Sequence, residues 1–125
     1  MINDKRYVPR IKLNAKVRFD FSDMDEENLK CAKNAFEADI VDISIQGIGL
    51  RIFNDVGEDV LDQVFTGKKK VRLNFKFSSD GKPINTFATL VRYASDKNIF
   101  GLKYIDIPAD SYAELKNSLS KFTVC

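Results

Sequence analysis

Between Ile11 and Phe21 the odd positions (Ile11, Leu13, Ala15, Val17, Phe19, Phe21) are apolar and the even ones (Lys12, Asn14, Lys16, Arg18, Asp20) are polar. Side chains on a strand alternate between two faces, so this pattern predicts a strand with one face on a core and the other in water. Alternation resumes at Phe36, Ala38 and Ile40, then slips phase to Val41, Ile43 and Ile45. A slip inside a period of two predicts a bulge or a strand end. Ile48, Leu50 and Ile52 alternate again after Gly47, as do Val71, Leu73, Phe75 and Phe77. Two further strands are expected within residues 84–93 and 98–107, separated by a turn at 94–97.

The connections carry their own signals. Residues 22–35 are polar and acidic, an insert between strands in which Leu29 to Ala35 could form a short helix behind Asp25, Glu26 and Glu27. Asn54 to Gly57 reads as a turn, and Glu58 to Phe65 as one or two helical turns ending at Gly67. Asp80-Gly81 is a hairpin signal. Near the C-terminus the period becomes helical, with Tyr112, Leu115, Leu119 and Phe122 expected on the core and Ser111-x-x-Glu114 expected as a capping box. About six short strands in meander-like order and one amphipathic helix predict a small antiparallel barrel or sandwich, its open end or edge covered by the helix.

The 125 residues suit one domain, and 44% hydrophobic with 30% charged residues is too apolar for a disordered chain. No apolar run is long enough to span a bilayer, and the first residues lack an apolar signal segment, so a cytoplasmic protein without membrane insertion is expected. The chain has no histidine. That removes Ser-His-Asp and Cys-His catalysis, and Cys31 and Cys125 alone cannot build a usual zinc site. No acidic cluster surrounds a nucleophile, so no catalytic residue, metal or cofactor is assigned and an enzyme is not expected. The two thiols are read as reduced.

Net charge is only +2, but it is unevenly spread. Lys5, Arg6, Arg10, Lys12, Lys16 and Arg18 face only Asp4 in the first 18 residues, which suits an anionic ligand. Lys68, Lys69 and Lys70 read as a solvated loop.

Two short motifs occupy telling places. Arg6-x-x-x-Arg10 immediately precedes the first strand, and Asp42-x-Ser44-x-x-Gly47 lies where the second strand slips phase and turns. In this order, in a β-rich chain ending in a helix, they resemble the PilZ domain family over essentially the whole chain. The resemblance implies an all-β fold: a six-stranded antiparallel β-barrel with a C-terminal α-helix, binding cyclic di-GMP on its outer surface. A single domain over 1–125 is expected, with a flexible ligand-binding segment at 1–10, the barrel at 11–107 and the helix at 108–125. Arg6 and Arg10 match the family's arginine pair, Asp42 and Ser44 its polar pair, and Gly47 its glycine. Some relatives carry a second glycine where this chain has Gln46.

The residue chemistry agrees with this assignment. Guanidinium is planar, always charged, and forks onto phosphate oxygens or guanine O6 and N7. Pro9 restricts its own φ and Val8, which extends the arginine segment. Asp42 can accept from guanine N–H groups, Ser44 can donate or accept, and Gly47 permits close backbone approach or positive φ. The expected function is a cyclic di-GMP receptor or adaptor in bacterial second-messenger signalling, which changes conformation and regulates an unidentified protein effector. The alternative is a ligand-independent interaction module of the same fold. A barrel for RNA or single-stranded DNA would need exposed aromatics on one face, whereas the phenylalanines mostly occupy the apolar phase.

Overall fold

The computed structural model describes residues 15–53, 56–78, 81–94 and 97–123. These form β1 (Lys16–Asp23), β2 (Phe36–Ile43), β3 (Gly47–Ile52), α1 (Glu58–Phe65), β4 (Lys69–Phe75), β5 (Ile84–Ala94), β6 (Ile99–Ile105) and α2 (Ala109–Thr123). The strands close into a barrel in the order β1-β2-β3-β6-β5-β4, with every neighbouring pair antiparallel. Closure leaves no sheet edge, and of the two architectures the periodicity allowed, the barrel is found.

The core follows from the alternation. Val17 and Phe19, Ala38 and Ile40, Ile48 and Leu50, Leu73 and Phe75, Ile84 and Ala88, and Phe100 and Leu102 all point inward. Val64 of α1 and Leu115 and Leu119 of α2 join the same core. The register puts the start of β1, the end of β2, the start of β3 and the end of β6 on one rim. The Asp42-x-Ser44-x-x-Gly47 motif lies on that rim.

The acidic insert departs from the expectation: residues 29–35 form no helix. Its backbone is held by side chains instead. Glu26 accepts from the Glu27 and Asn28 amides, and Asn28 Oδ1 accepts from the Lys30 amide, local bonds that compete with a helix. The insert is then strapped to the outside of β1 and β4. Arg72 Nε and Nη2 donate to both oxygens of Asp20 at 2.7 and 2.8 Å, and Arg72 Nη1 donates to the Asn28 carbonyl. Asp20 also accepts from the Ala32 amide, and Arg18 donates to the Ala32 carbonyl. Hydrogen bonding to Asp20 raises the Arg72 pKa further. Cys31 is buried beneath this strap, and burial pushes its thiol pKa up to about 11.

Three smaller expectations are corrected. Lys69 and Lys70 belong to β4 rather than to a loop. Lys69 pairs with Asp23, and Lys70 is buried with its ammonium 3.5 Å from the centroid of the Phe87 ring. The basic run is not a solvated loop because long stems bury while their charge finds a partner. Ser111 is not the first cap of α2. It lies inside the first turn, where its hydroxyl accepts from the Asn85 amide and ties the helix to β5. Tyr112 is exposed, and among the described side chains the core stripe of α2 rests on Leu115 and Leu119; the expected Phe122 side chain lies outside them.

Arg72→Ala should destabilise the protein by about 3 kcal/mol or more in urea denaturation, because it strands a mostly buried carboxylate. A loss below about 1 kcal/mol would mean that the pair behaves as an ordinary surface bridge. Because burial pushes the Cys31 thiol up to about 11, little of it is thiolate at pH 8. Native alkylation at Cys31, followed by peptide mapping, should therefore be slow and should accelerate in Arg72→Ala. Equal rates in the two proteins would contradict the strap.

Candidate functional site

The phase slip read in β2 is a bulge. Ile40 pairs with Leu50 and Asp42 with Gly49, leaving Val41 as the extra residue. Strict alternation from Ala38 and Ile40 would drive Asp42 into the core. The extra residue turns Asp42 outward and Ile43 inward, where Ile43 is fully buried. A carboxylate thereby reaches the barrel surface one strand-end away from the rim.

Beyond it the chain makes a tight, internally bonded turn. Ser44 is 0% exposed. Its Oγ accepts from the Gln46 and Gly47 amides at 3.2 Å each, and its own amide donates to the Gly47 carbonyl at 2.9 Å. Such a serine substitutes for backbone partners in the turn. Ser44 therefore shapes the site in this structure and presents no free hydroxyl to a ligand. Gly47 is required by close approach and not by positive φ: a Cβ there would fall on the Leu102 carbonyl oxygen of β6.

A residue outside both motifs completes the turn. The buried Tyr104 hydroxyl lies 3.2 Å from both the Ser44 and Gly47 carbonyls, to which it donates. Beside it Ile45, Gln46, Lys103, Tyr104 and Ile107 line an open groove of about 360 Å³. Lys103 is exposed and adds positive charge there.

The face beside Asp42 is built on glycines. A Cβ on Gly49 would come 2.8 Å from Asp42 Oδ1, so the carboxylate lies over Gly49. Gly49 pairs with Gly101 on β6, and Gly101 pairs with Arg92 on β5. A Cβ on Gly101 would come 2.8 Å from Arg92 Cγ and 3.0 Å from its Nε. Arg92 also follows a bulge, with Val91 extra between Leu90 and Arg92. The sequence reading did not bring Arg92 and Gly101 beside Asp42. A signal was present: Ile40-Val41-Asp42-Ile43 and Leu90-Val91-Arg92-Tyr93 share one pattern, two adjacent apolar residues, a charge, then an inward apolar residue.

Asp42, Ser44 and Gly47 are thus brought together on one rim. Arg6 and Arg10, with the flexible segment expected at 1–10, lie outside the described residues. The point from which that segment departs is fixed. The Ala15 carbonyl accepts from the Ile40 amide at 2.9 Å, so the chain enters β1 beside the strand carrying Asp42. Arg10 is five Cα steps from Ala15, a reach of up to about 17 Å in extended form. Lys16 and Asp39 form an exposed pair at this entry, and the Asp39 hydrogen bond raises the lysine pKa. Among the described residues no group of His, Cys, Asp or Glu is arranged to hold a metal, and no helix is long and apolar enough to cross a membrane.

Comparison with known proteins gives a consistent picture. The family model of the PilZ domain matches residues 4–121. The fold is similar to the PilZ domain of CeSA from a cellulose-synthesizing bacterium, with 11% identity, 93% of this chain and 99% of that one covered, and a TM-score of 0.60. It is similar to the Bacillus subtilis inhibitor of motility MotI/DgrA at 16% identity and a TM-score of 0.58, covering 90% of this chain and 50% of that one. It is also similar to the PilZ domain of YcgR from Escherichia coli, solved with c-di-GMP, at 10% identity, 90% and 86% coverage and a TM-score of 0.56. At such identities these structures establish the fold. A search of curated protein sequences finds no match.

Tyr104→Phe removes one donor while leaving the ring in place. It should cost about 1–2 kcal/mol in chemical denaturation, since the Ser44 carbonyl loses a partner in a buried setting. An unchanged midpoint would show that the turn holds its shape without the phenol.

Proposed function

Because the chain belongs to the PilZ domain family, we propose that it is a cyclic di-GMP receptor that acts through a protein effector and has no catalytic activity of its own. The observation that carries this reading is the prebuilt rim. Asp42 is held on the outer face over Gly49, beside the self-bonded Ser44–Gly47 turn, and the chain enters β1 next to that strand. Asp42 accepts from guanine N–H groups, while Ser44 and Gly47 act by holding the turn. Arg6 and Arg10 supply guanidinium groups to the phosphates and to O6 and N7 of one of the ligand's two guanines, drawn onto the rim by the ligand.

The switch in this reading is the docking of the arginine segment. It creates a surface that the ligand-free protein does not present, and an effector reads that surface. Fixing each residue of the segment costs roughly 1–2 kcal/mol, offset by charge-assisted contacts to the phosphates. Affinity is then moderate and binding reversible, as a signal requires. The same reading places the protein in the cytoplasm, where the nucleotide is made. A nucleic-acid barrel is not favoured, since Phe19, Phe75, Phe87 and Phe100 are buried and offer no stacking face.

Calorimetric titration with cyclic di-GMP, with GTP and a short oligonucleotide as controls, should show binding of the cyclic dinucleotide alone. At a hundredfold excess over Kd the ligand adds about 2.7 kcal/mol of stability, a rise in melting temperature of several degrees. No heat and no shift from a folded sample would contradict the receptor reading and favour the ligand-independent module. Arg10→Ala should weaken binding by about 2–5 kcal/mol if the arginine meets a phosphate in a desolvated contact. Lys69→Ala should change affinity little, its charge being screened at that distance. Equal losses from the two substitutions would mean diffuse attraction rather than a site.

A further inference from the structure

We propose that Arg92 reads a guanine base together with Asp42, across a floor made by Gly49 and Gly101. This rests on the cyclic di-GMP reading above and adds to it a residue that neither motif contains. The four residues form one register row across β2, β3, β6 and β5: Asp42 opposite Gly49, Gly49 opposite Gly101, Gly101 opposite Arg92. Both ends of the row are charged, and both owe their outward direction to a bulge. One bulge places a carboxylate on the surface and the other places a guanidinium on the same surface.

Gly49 and Gly101 add no side chain of their own to the middle of the row, and both are buried. Asp42 leans over one of them and Arg92 over the other, at distances that leave no room for a Cβ. With strands about 4.8 Å apart, the two charged residues start about 14 Å apart at their Cα atoms and converge over the floor. Arg92 makes no hydrogen bond or ion pair with another described residue. Its guanidinium is therefore available to a ligand.

A flat floor between a carboxylate and a guanidinium suits a planar base with one donor edge and one acceptor edge. Guanine has both: N1–H and the N2 amino group for Asp42, and O6 and N7 for the fork of Arg92. Adenine has an amino donor where guanine has O6 and lacks the N2 amino group, so it would meet Arg92 donor against donor. Arg92 is accordingly a specificity-determining residue and not merely a source of charge.

The test uses the full chain and cyclic di-GMP, with Arg92→Ala, Arg92→Lys and Arg51→Ala each shown by thermal melting to be folded. Arg51 is an exposed arginine on neighbouring β3, and its removal subtracts the same charge. Arg92→Ala should weaken binding at least tenfold. Arg92→Lys should recover little of that loss, because an ammonium lacks the planar fork. Arg51→Ala should change Kd by less than threefold. A wild-type Kd in Arg92→Ala, full recovery in Arg92→Lys, or an equal loss in Arg51→Ala would each overturn the base-reading role while leaving the receptor reading intact. Failure of the unmodified protein to bind cyclic di-GMP would instead bring down the receptor reading, and this inference with it.

Discussion

A residue in a closed barrel has only two places to point, the core or the surface, and its place is fixed by counting in twos from its neighbours. Everything distinctive about this protein comes from two points where the count is broken. On β2, Ile40 and Ile43 both belong to the core, which an uninterrupted strand cannot arrange. One extra residue, Val41, resolves the conflict and sends Asp42 outward. On β5 the extra Val91 does the same for Arg92. Without the bulges a carboxylate and a guanidinium would enter a core of Leu50, Leu73 and Leu102, at a desolvation cost no small domain can sustain. The surface charges of the site and the integrity of the core are thus two results of one constraint.

The turn after the first bulge is finished before any ligand arrives. Ser44, Gly47 and Tyr104 satisfy one another, and Gly47 lets β3 press against the β6 backbone. Preorganisation of this kind confines the entropic cost of binding to whatever is recruited to the rim. Asp42 faces outward, whereas Ser44 and Gly47 hold the geometry that keeps it there.

Much of this was legible from residue order. The strands, the helix at Glu58–Phe65 and the slip near Val41 follow from periodicity, because each is a local consequence of which residues must be buried. The motif Asp42-x-Ser44-x-x-Gly47 was legible as well, but the bonding of the Ser44 hydroxyl within its own turn was not, since a hydroxyl looks the same in sequence whatever it faces. The insert misled because the acids before Leu29 favour a helix. Arg18, Asp20 and Arg72, on strands distant in sequence, claim its backbone instead. Lys70 misled for the same reason, its partner Phe87 lying on another strand. Arg92 and Gly101 escaped notice because a register row exists only once β5, β6 and β3 are aligned.

The central claim is that cyclic di-GMP brings the Arg6–Arg10 segment onto the rim that carries Asp42. Amide hydrogen exchange with and without the ligand tests it most directly, because it locates binding as well as detecting it. The expected result is a gain in protection across residues 4–10 on adding cyclic di-GMP. The Gln46 and Gly47 amides, already bonded to Ser44, should change little. Residues 4–10 exchanging at the same rate in both states, or new protection confined to α2 and the insert, would contradict it.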